Sequence, residues 1–146
     1  MGYSMNSTLS LKERKATFAE LKAEYLFIAI PFLLLISIKI YISTWQEIIT
    51  SPDWSLASCL IFGQITSKVS KAVACSNTKT SEHFFGWYTA KRFLLVVISI
   101  AAYFGMLAKP TMSLGYIQII IFITASYFHF KDGFTTKLLQ KNECKR

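Results

Sequence analysis

Gln64, Lys68, Lys71 and Cys75 follow one another at intervals of four, three and four residues, a spacing that sets an amide, two ammonium groups and a thiol along one face of a helix. Such a face can line a water-filled axis or cavity in an oligomer, with Lys68 and Lys71 as a cationic ring near its inner mouth. The other reading of the two lysines is that they snorkel to headgroups at a helix end. Beside that face Ser55, Cys59, Gly63 and Ser67 recur every four residues, and Ser70 and Ala74 extend the line. A stripe of small side chains lets helices approach closely in lipid, where exclusion of water gives no help. Ile61, Ile65, Val69 and Val73 form the remaining apolar face. Gln118 is an isolated amide in an apolar run, sharing a face with Gly115, Phe122, Ala125 and His129. An amide in hydrocarbon requires a hydrogen-bond partner, here Gln64, a serine or a second copy of the chain. A weaker small-residue pair, Ala101 and Gly105, falls in another apolar run.

None of this is catalytic machinery. His83 and His129 belong to a loop side and to the end of an apolar run, where they could meet near Glu82, and solvation at an interface explains both. No carboxylate pair, metal-ligand spacing or phosphate-binding loop is present, so no catalytic residue, metal or cofactor is expected. Cys59, Cys75 and Cys144 form no CxxC spacing, and their odd number reads as unpaired thiols.

The elements that must position these residues follow from composition. The chain has 146 residues, 53% hydrophobic and only 16% charged, against about 25% charged in soluble domains. Its mean hydropathy is +0.40, and the apolar residues stand in long runs, so lipid is the solvent for much of it. Six glycines and three prolines exclude collagen-like and low-complexity chains.

An all-α protein with four transmembrane helices is expected, at about 25–45, 54–74, 84–108 and 112–130, after an amphipathic segment 1–24 and before a basic tail 131–146. Residues 25–45 suffice, at about 1.5 Å each, to cross a hydrocarbon core of roughly 30 Å. Pro31 falls in the first turns of this span, and Tyr25, Tyr41 and Trp45 mark its interfaces. Lys39 must snorkel outward or find a partner in the bundle. The segment 1–24 carries Leu11, Phe18, Leu21 and Tyr25 at helical spacing, which fits either a surface helix or an extension of the first span. Residues 54–74 are only moderately apolar, and charge decides their reading. If they cross, the basic residues of the N-terminal tail (Lys12, Arg14, Lys15, Lys22), the middle loop (Lys79, Lys91, Arg92) and the C-terminal tail (Lys131, Lys137, Lys141, Lys145, Arg146) share one side. That side is cytoplasmic by the positive-inside rule, and both termini lie there. The net charge of +8 then follows from topology, and no nucleic-acid partner is expected. No signal peptide is expected either, since the first apolar run starts late and contains Lys39.

The external segments are small, so a cytoplasmic protein partner is favoured over an external ligand. Phe84, Phe85, Trp87 and Tyr88, flanked by basic residues, offer it a docking surface. The plan over Tyr25 to Phe130 resembles the membrane subunits of bacterial anti-phage systems, such as the membrane component of Kiwa, and also colicin immunity proteins. The likeness carries over no residue. The first resemblance implies a homo-oligomer of the bacterial inner membrane that senses membrane disturbance or is triggered by a soluble partner. The expected function is therefore a non-enzymatic, self-associating scaffold or sensor coupled to a cytoplasmic partner, which the resemblance places in antiviral defence, with two alternatives: an oligomeric pore lined by residues 54–74, or a toxin-immunity protein acting through its outer segments.

Overall fold

Long runs of Leu, Ile and Phe without turn residues favour helix where water is absent, because a helix satisfies its backbone groups within its own segment. The computed structural model describes residues 11–42, 44–75 and 82–143, of which 73–75, 82–85 and 138–143 are described by backbone alone. Their regular structure is α-helical throughout: α1 (Leu11–Ile42), α2 (Trp45–Ile49), α3 (Asp53–Cys75), α4 (Glu82–Ala108) and α5 (Met112–Glu143). By length and composition three stretches can cross a bilayer, Leu11–Ile42, Gly86–Ala108 and Met112–Lys137. The chain thus has the make-up of a multi-pass helical membrane protein. α3 is not among the three, since Lys68, Lys71 and its hydroxyl residues lower its hydropathy.

α1 is one unbroken helix, so the amphipathic segment from Leu11 onward is an extension of the first apolar run. Pro31 consequently lies in the interior of α1 and not in its opening turns. A proline there removes one backbone bond, a loss that membrane helices tolerate when neighbouring groups compensate. α5 likewise continues past Phe130 to Glu143.

Cross-helix contacts fix the directions. Lys39 meets Asp53 and Glu24 meets Lys68, so α1 and α3 are antiparallel. Tyr25 Oη lies 2.9 Å from Ser126 Oγ, which sets α5 antiparallel to α1, and Arg92 meets Asp132, which sets α4 antiparallel to α5. The end where α1 begins and α5 finishes is called basal below, and the other end apical. α3 and α5 form the central pair, and α1 and α4 each pack on both of them without touching each other among the described residues.

The core sits on α3. Ile61, Phe62, Ile65 and Val69 are buried with Ala125 of α5, so Ile61, Ile65 and Val69 of the apolar face read from the sequence point inward, while the side chain of Val73 lies outside the described residues. Phe32 of α1, Trp54 of α3 and Phe122 of α5 form an aromatic triangle with ring centres 5.0 to 5.4 Å apart, the range of favourable edge and tilted contacts. The outside is the more apolar surface. Phe27, Leu34, Ile40, Phe104 and Ile120 all face outward, and Phe27 is 81% exposed. So large an exposed apolar surface is foreign to soluble monomers and suited to lipid. Hydroxyl groups are accommodated locally: Ser37, Ser58, Thr66, Ser99 and Thr124 each donate to the carbonyl four residues earlier, an arrangement that spares them an external partner.

Candidate functional site: the charged basal end

At the basal end the four long helices bring charged side chains to the height where the apolar runs stop. α1 ends its polar opening turns with Glu20 and Glu24, and α5 leaves its apolar run at Lys131 and Asp132. The antiparallel packing places these stretches side by side. Lys137 Nζ of α5 lies 2.8 Å from Glu20 Oε1 and 2.8 Å from Glu24 Oε1. The other oxygen of Glu24 accepts from Lys68 Nζ of α3. One carboxylate therefore ties three helices together. Arg92 of α4 stands with its Nε 2.8 Å from Asp132 Oδ2 of α5, at side-chain exposures of 12% and 6%. The guanidinium carbon lies 3.7 Å from the centre of the Phe128 ring and 4.8 Å from that of Tyr88, and Arg92 Nη2 donates to Tyr88 Oη at 3.2 Å. Arg92 thus has an anion and two ring faces, the surroundings that make a buried cation tolerable.

His129 is fully buried between these groups, its Nε2 3.4 Å from the Leu21 carbonyl oxygen and its ring 5.5 Å from Tyr25. Its Nδ1 has no hydrogen-bond partner among the described residues. His83 lies where side chains are not described, so a meeting of the two histidines falls outside the described residues.

The apical end has a smaller counterpart. Lys39 Nζ lies 2.9 Å from Asp53 Oδ2 and donates to Ser51 Oγ, which itself donates to Asp53. Lys39 therefore takes a partner in the bundle, at the head of α3. Partial burial alone would raise the Asp53 carboxyl, but the Ser51 hydroxyl and the Lys39 ammonium outweigh it and hold the group below its ordinary value.

The residues singled out by spacing meet different fates. Ser55 is buried and donates to Gln118 Oε1 at 2.6 Å, the serine partner that the Gln118 amide requires. Gln118 Nε2 is left without a partner among the described residues. Cys59 is half-buried, a β-carbon built on Gly63 would meet nothing within 4 Å, and Ser67 is exposed. The stripe is thus not a single packing face inside the chain. A four-residue repeat on a helix of 3.6 residues per turn drifts by about 40° at each step, carrying the stripe from the core at Ser55 to the outside at Ser67.

Within the single chain Gln64, Lys68, Lys71 and Gln118 stand apart: Gln64 is half-buried and its Oε1 has no partner among the described residues, Lys68 is engaged by Glu24, Lys71 is exposed, and Gln118 pairs near the apical end. On α4, Ala101 is exposed while the adjacent Ala102 is buried, and a β-carbon on Gly105 would come 3.3 Å from Leu114 Cδ2. Trp87 points outward beneath Lys91, Tyr88 turns inward to Arg92, and the side chains of Phe84 and Phe85 lie outside the described residues. The basal partners Glu20, Glu24, Asp132 and Lys137 were not singled out by spacing. Their signal was depth, since Glu24 immediately precedes one apolar run and Asp132 closely follows another.

Among the described residues no three His, Cys, Asp or Glu side chains gather as a metal site. What the basal cluster can do is electrostatic and mechanical: it couples the tilt of four helices through paired charges. The class defined by fold and site is a small helical protein of multi-pass membrane make-up with a charge-locked end. Compared with models of protein families, with curated proteins and with solved structures, the chain matches none.

Proposed function

We propose that this chain is a four-span, non-enzymatic membrane subunit, a scaffold or sensor that associates with copies of itself through α3 and couples to a soluble cytoplasmic partner at its basal end. One observation carries the reading. α3 is covered by α1, α4 and α5, yet its face with Leu60, Gly63, Ser67, Ser70 and Lys71 stays open where α1 and α4 do not meet. The corresponding free face of α5 presents Tyr116, Ile120, Ile123 and Tyr127, which suit lipid. Glycine, serines and a lysine do not suit lipid, and a second copy of the same face would give them close-packed, hydrogen-bonding company. Engagement of Lys68 by Glu24 favours this scaffold over a pore, because that ammonium is already neutralised inside the chain. A place in antiviral defence, and in a bacterial inner membrane, is supported by likeness of plan alone.

The test is the mass of the full chain in nanodiscs, for the native protein and for Gly63→Leu. Because no other side chain or helix among the described residues stands within 4 Å of the position a β-carbon would take, the substitution is expected to leave the fold intact, and circular dichroism checks this. The expected result is a defined oligomer that Gly63→Leu converts to a monomer. A native protein that is monomeric in nanodiscs ends the reading.

A further inference from the structure

Away from the paired charges, the basal end carries a second feature, a groove of about 860 Å³ between the opening turns of α1 and the far end of α5. Its cations are Arg14, Lys15 and Lys22 from α1 and Lys131 from α5, and no acidic residue lines it among the described residues. Each of the four lacks a carboxylate partner among the described residues, in contrast to Lys68, Arg92 and Lys137 a short distance around the bundle. Glu20 and Glu24 of α1 are engaged elsewhere, since both face Lys137. The groove floor is aromatic. Lys22 Nζ lies 4.9 Å from the ring centre of Phe18, Arg14 lies 5.9 Å from that of Phe134, and Lys131 lies 5.8 Å from that of Tyr127.

Depth gives the occupant. Lys131 immediately follows the apolar run of α5, and Lys22 stands three residues before Tyr25, where that of α1 begins. Both ammonium groups therefore sit at the hydrocarbon boundary, where lipid phosphates lie. Arg14 and Lys15 are roughly 10–12 Å farther out along α1 at 1.5 Å per residue, in reach of the outer part of a headgroup. Below the boundary Tyr127 faces outward and continues the groove onto lipid-exposed surface. A cationic slot with an apolar floor, open toward the acyl layer, is complementary to a molecule with an anionic head and an apolar tail.

We propose that this groove is a binding site for an anionic phospholipid of the leaflet at the basal end, its phosphate held between Lys22 and Lys131 and its outer headgroup met by Arg14 and Lys15. The inference rests on the reading that α1 and α5 cross the bilayer, and it adds a specific ligand to the proposed subunit.

The experiment is native mass spectrometry of the full chain released from nanodiscs containing equal phosphatidylcholine and phosphatidylglycerol. The native protein is expected to retain phosphatidylglycerol in preference to phosphatidylcholine. A variant with Arg14→Gln, Lys15→Gln, Lys22→Gln and Lys131→Gln should lose that preference by at least about tenfold, given the worth of each cation near an anionic surface. A control that removes exposed cations outside the groove, Lys12→Gln with Lys91→Gln, should keep it. Equal retention of the two lipids by the native protein overturns the proposal and leaves the groove to an acidic segment of another protein. So does a control variant that loses as much preference as the groove variant, which would mark diffuse attraction. Displacement of the lipid by millimolar inorganic phosphate would assign the site to a soluble anion and overturn it as well. A chain that does not enter nanodiscs overturns the membrane reading together with this inference, whereas a chain that enters without lipid preference overturns this inference alone.

Discussion

Arg92 and Asp132 make the sharpest prediction at the scale of single residues. Their charges lie 2.8 Å apart with little exposure, and a buried pair is worth less as a sum than its halves suggest. Removing one partner strands the other and costs about 3–5 kcal/mol, whereas replacing both by apolar groups of similar size is often close to neutral. Arg92→Met alone and Asp132→Leu alone should each destabilise the chain by that order, while the double variant should recover most of the loss in a denaturation series in detergent. Additive losses would show that Arg92 acts through its ring contacts and not through the pair. This pair was only half legible in the sequence. In the sequence Arg92 stands among the basic residues of the middle loop, and its spacing names no partner, because Asp132 lies on α5, 40 positions away. The partner of Gln118 was more legible, because an amide in a membrane helix has few choices and Ser55 is one of them.

At the scale of elements, Gly115 decides how α2 sits on α5. A β-carbon there would lie 2.6 Å from the Ile49 carbonyl oxygen and 2.8 Å from Ile49 Cγ2, so the two backbones approach more closely than any side chain allows. Gly115→Ala should destabilise by roughly 1–3 kcal/mol, the usual range for overpacking. Trimming Ile49 to Ala should not restore stability, because the obstacle includes backbone; full rescue by Ile49→Ala would locate the clash in the side chain. The same approach at Gly133 meets only Leu21 Cδ2, at 2.7 Å, and a flexible side-chain end can move aside. The long helices themselves were legible from their apolar runs, but the start of α1 was not. Leu11 to Glu24 has both the charge pattern of a surface helix and the spacing of an extension, and only the packing of Leu21 against Gly133 and of Glu24 against Lys68 selects the extension. The stripe on α3 was legible as a motif, but a period of four drifts on a helix of 3.6, so Ser55 turns to the core while Ser67 and Ser70 lie on the open face.

At the scale of the whole molecule, the least apolar long helix occupies the centre and the most apolar one stands outside. The sequence order of hydropathy is thus nearly the inverse of burial, as expected when the surrounding medium is itself apolar. That inversion explains why residues 54–74 are ambiguous when read alone: their polar groups are acceptable only after Gln118, Glu24 and the rest of the bundle are in place. The placement also orders events on the ribosome. On the proposed four-span reading, α3 packs chiefly on α4 and α5, both made after it, and Lys68 and Lys71 disfavour its entry into lipid unescorted. An insertion machinery meeting the chain as it emerges should therefore hold or reject this segment until its later companions arrive. A chain truncated after Cys75 should leave residues 54–74 open to protease in microsomes or inverted vesicles, while the full chain protects them; protection in both would mean that α3 inserts unaided. The centre of the bundle would then be the last part to settle, although it is far from the last to be made.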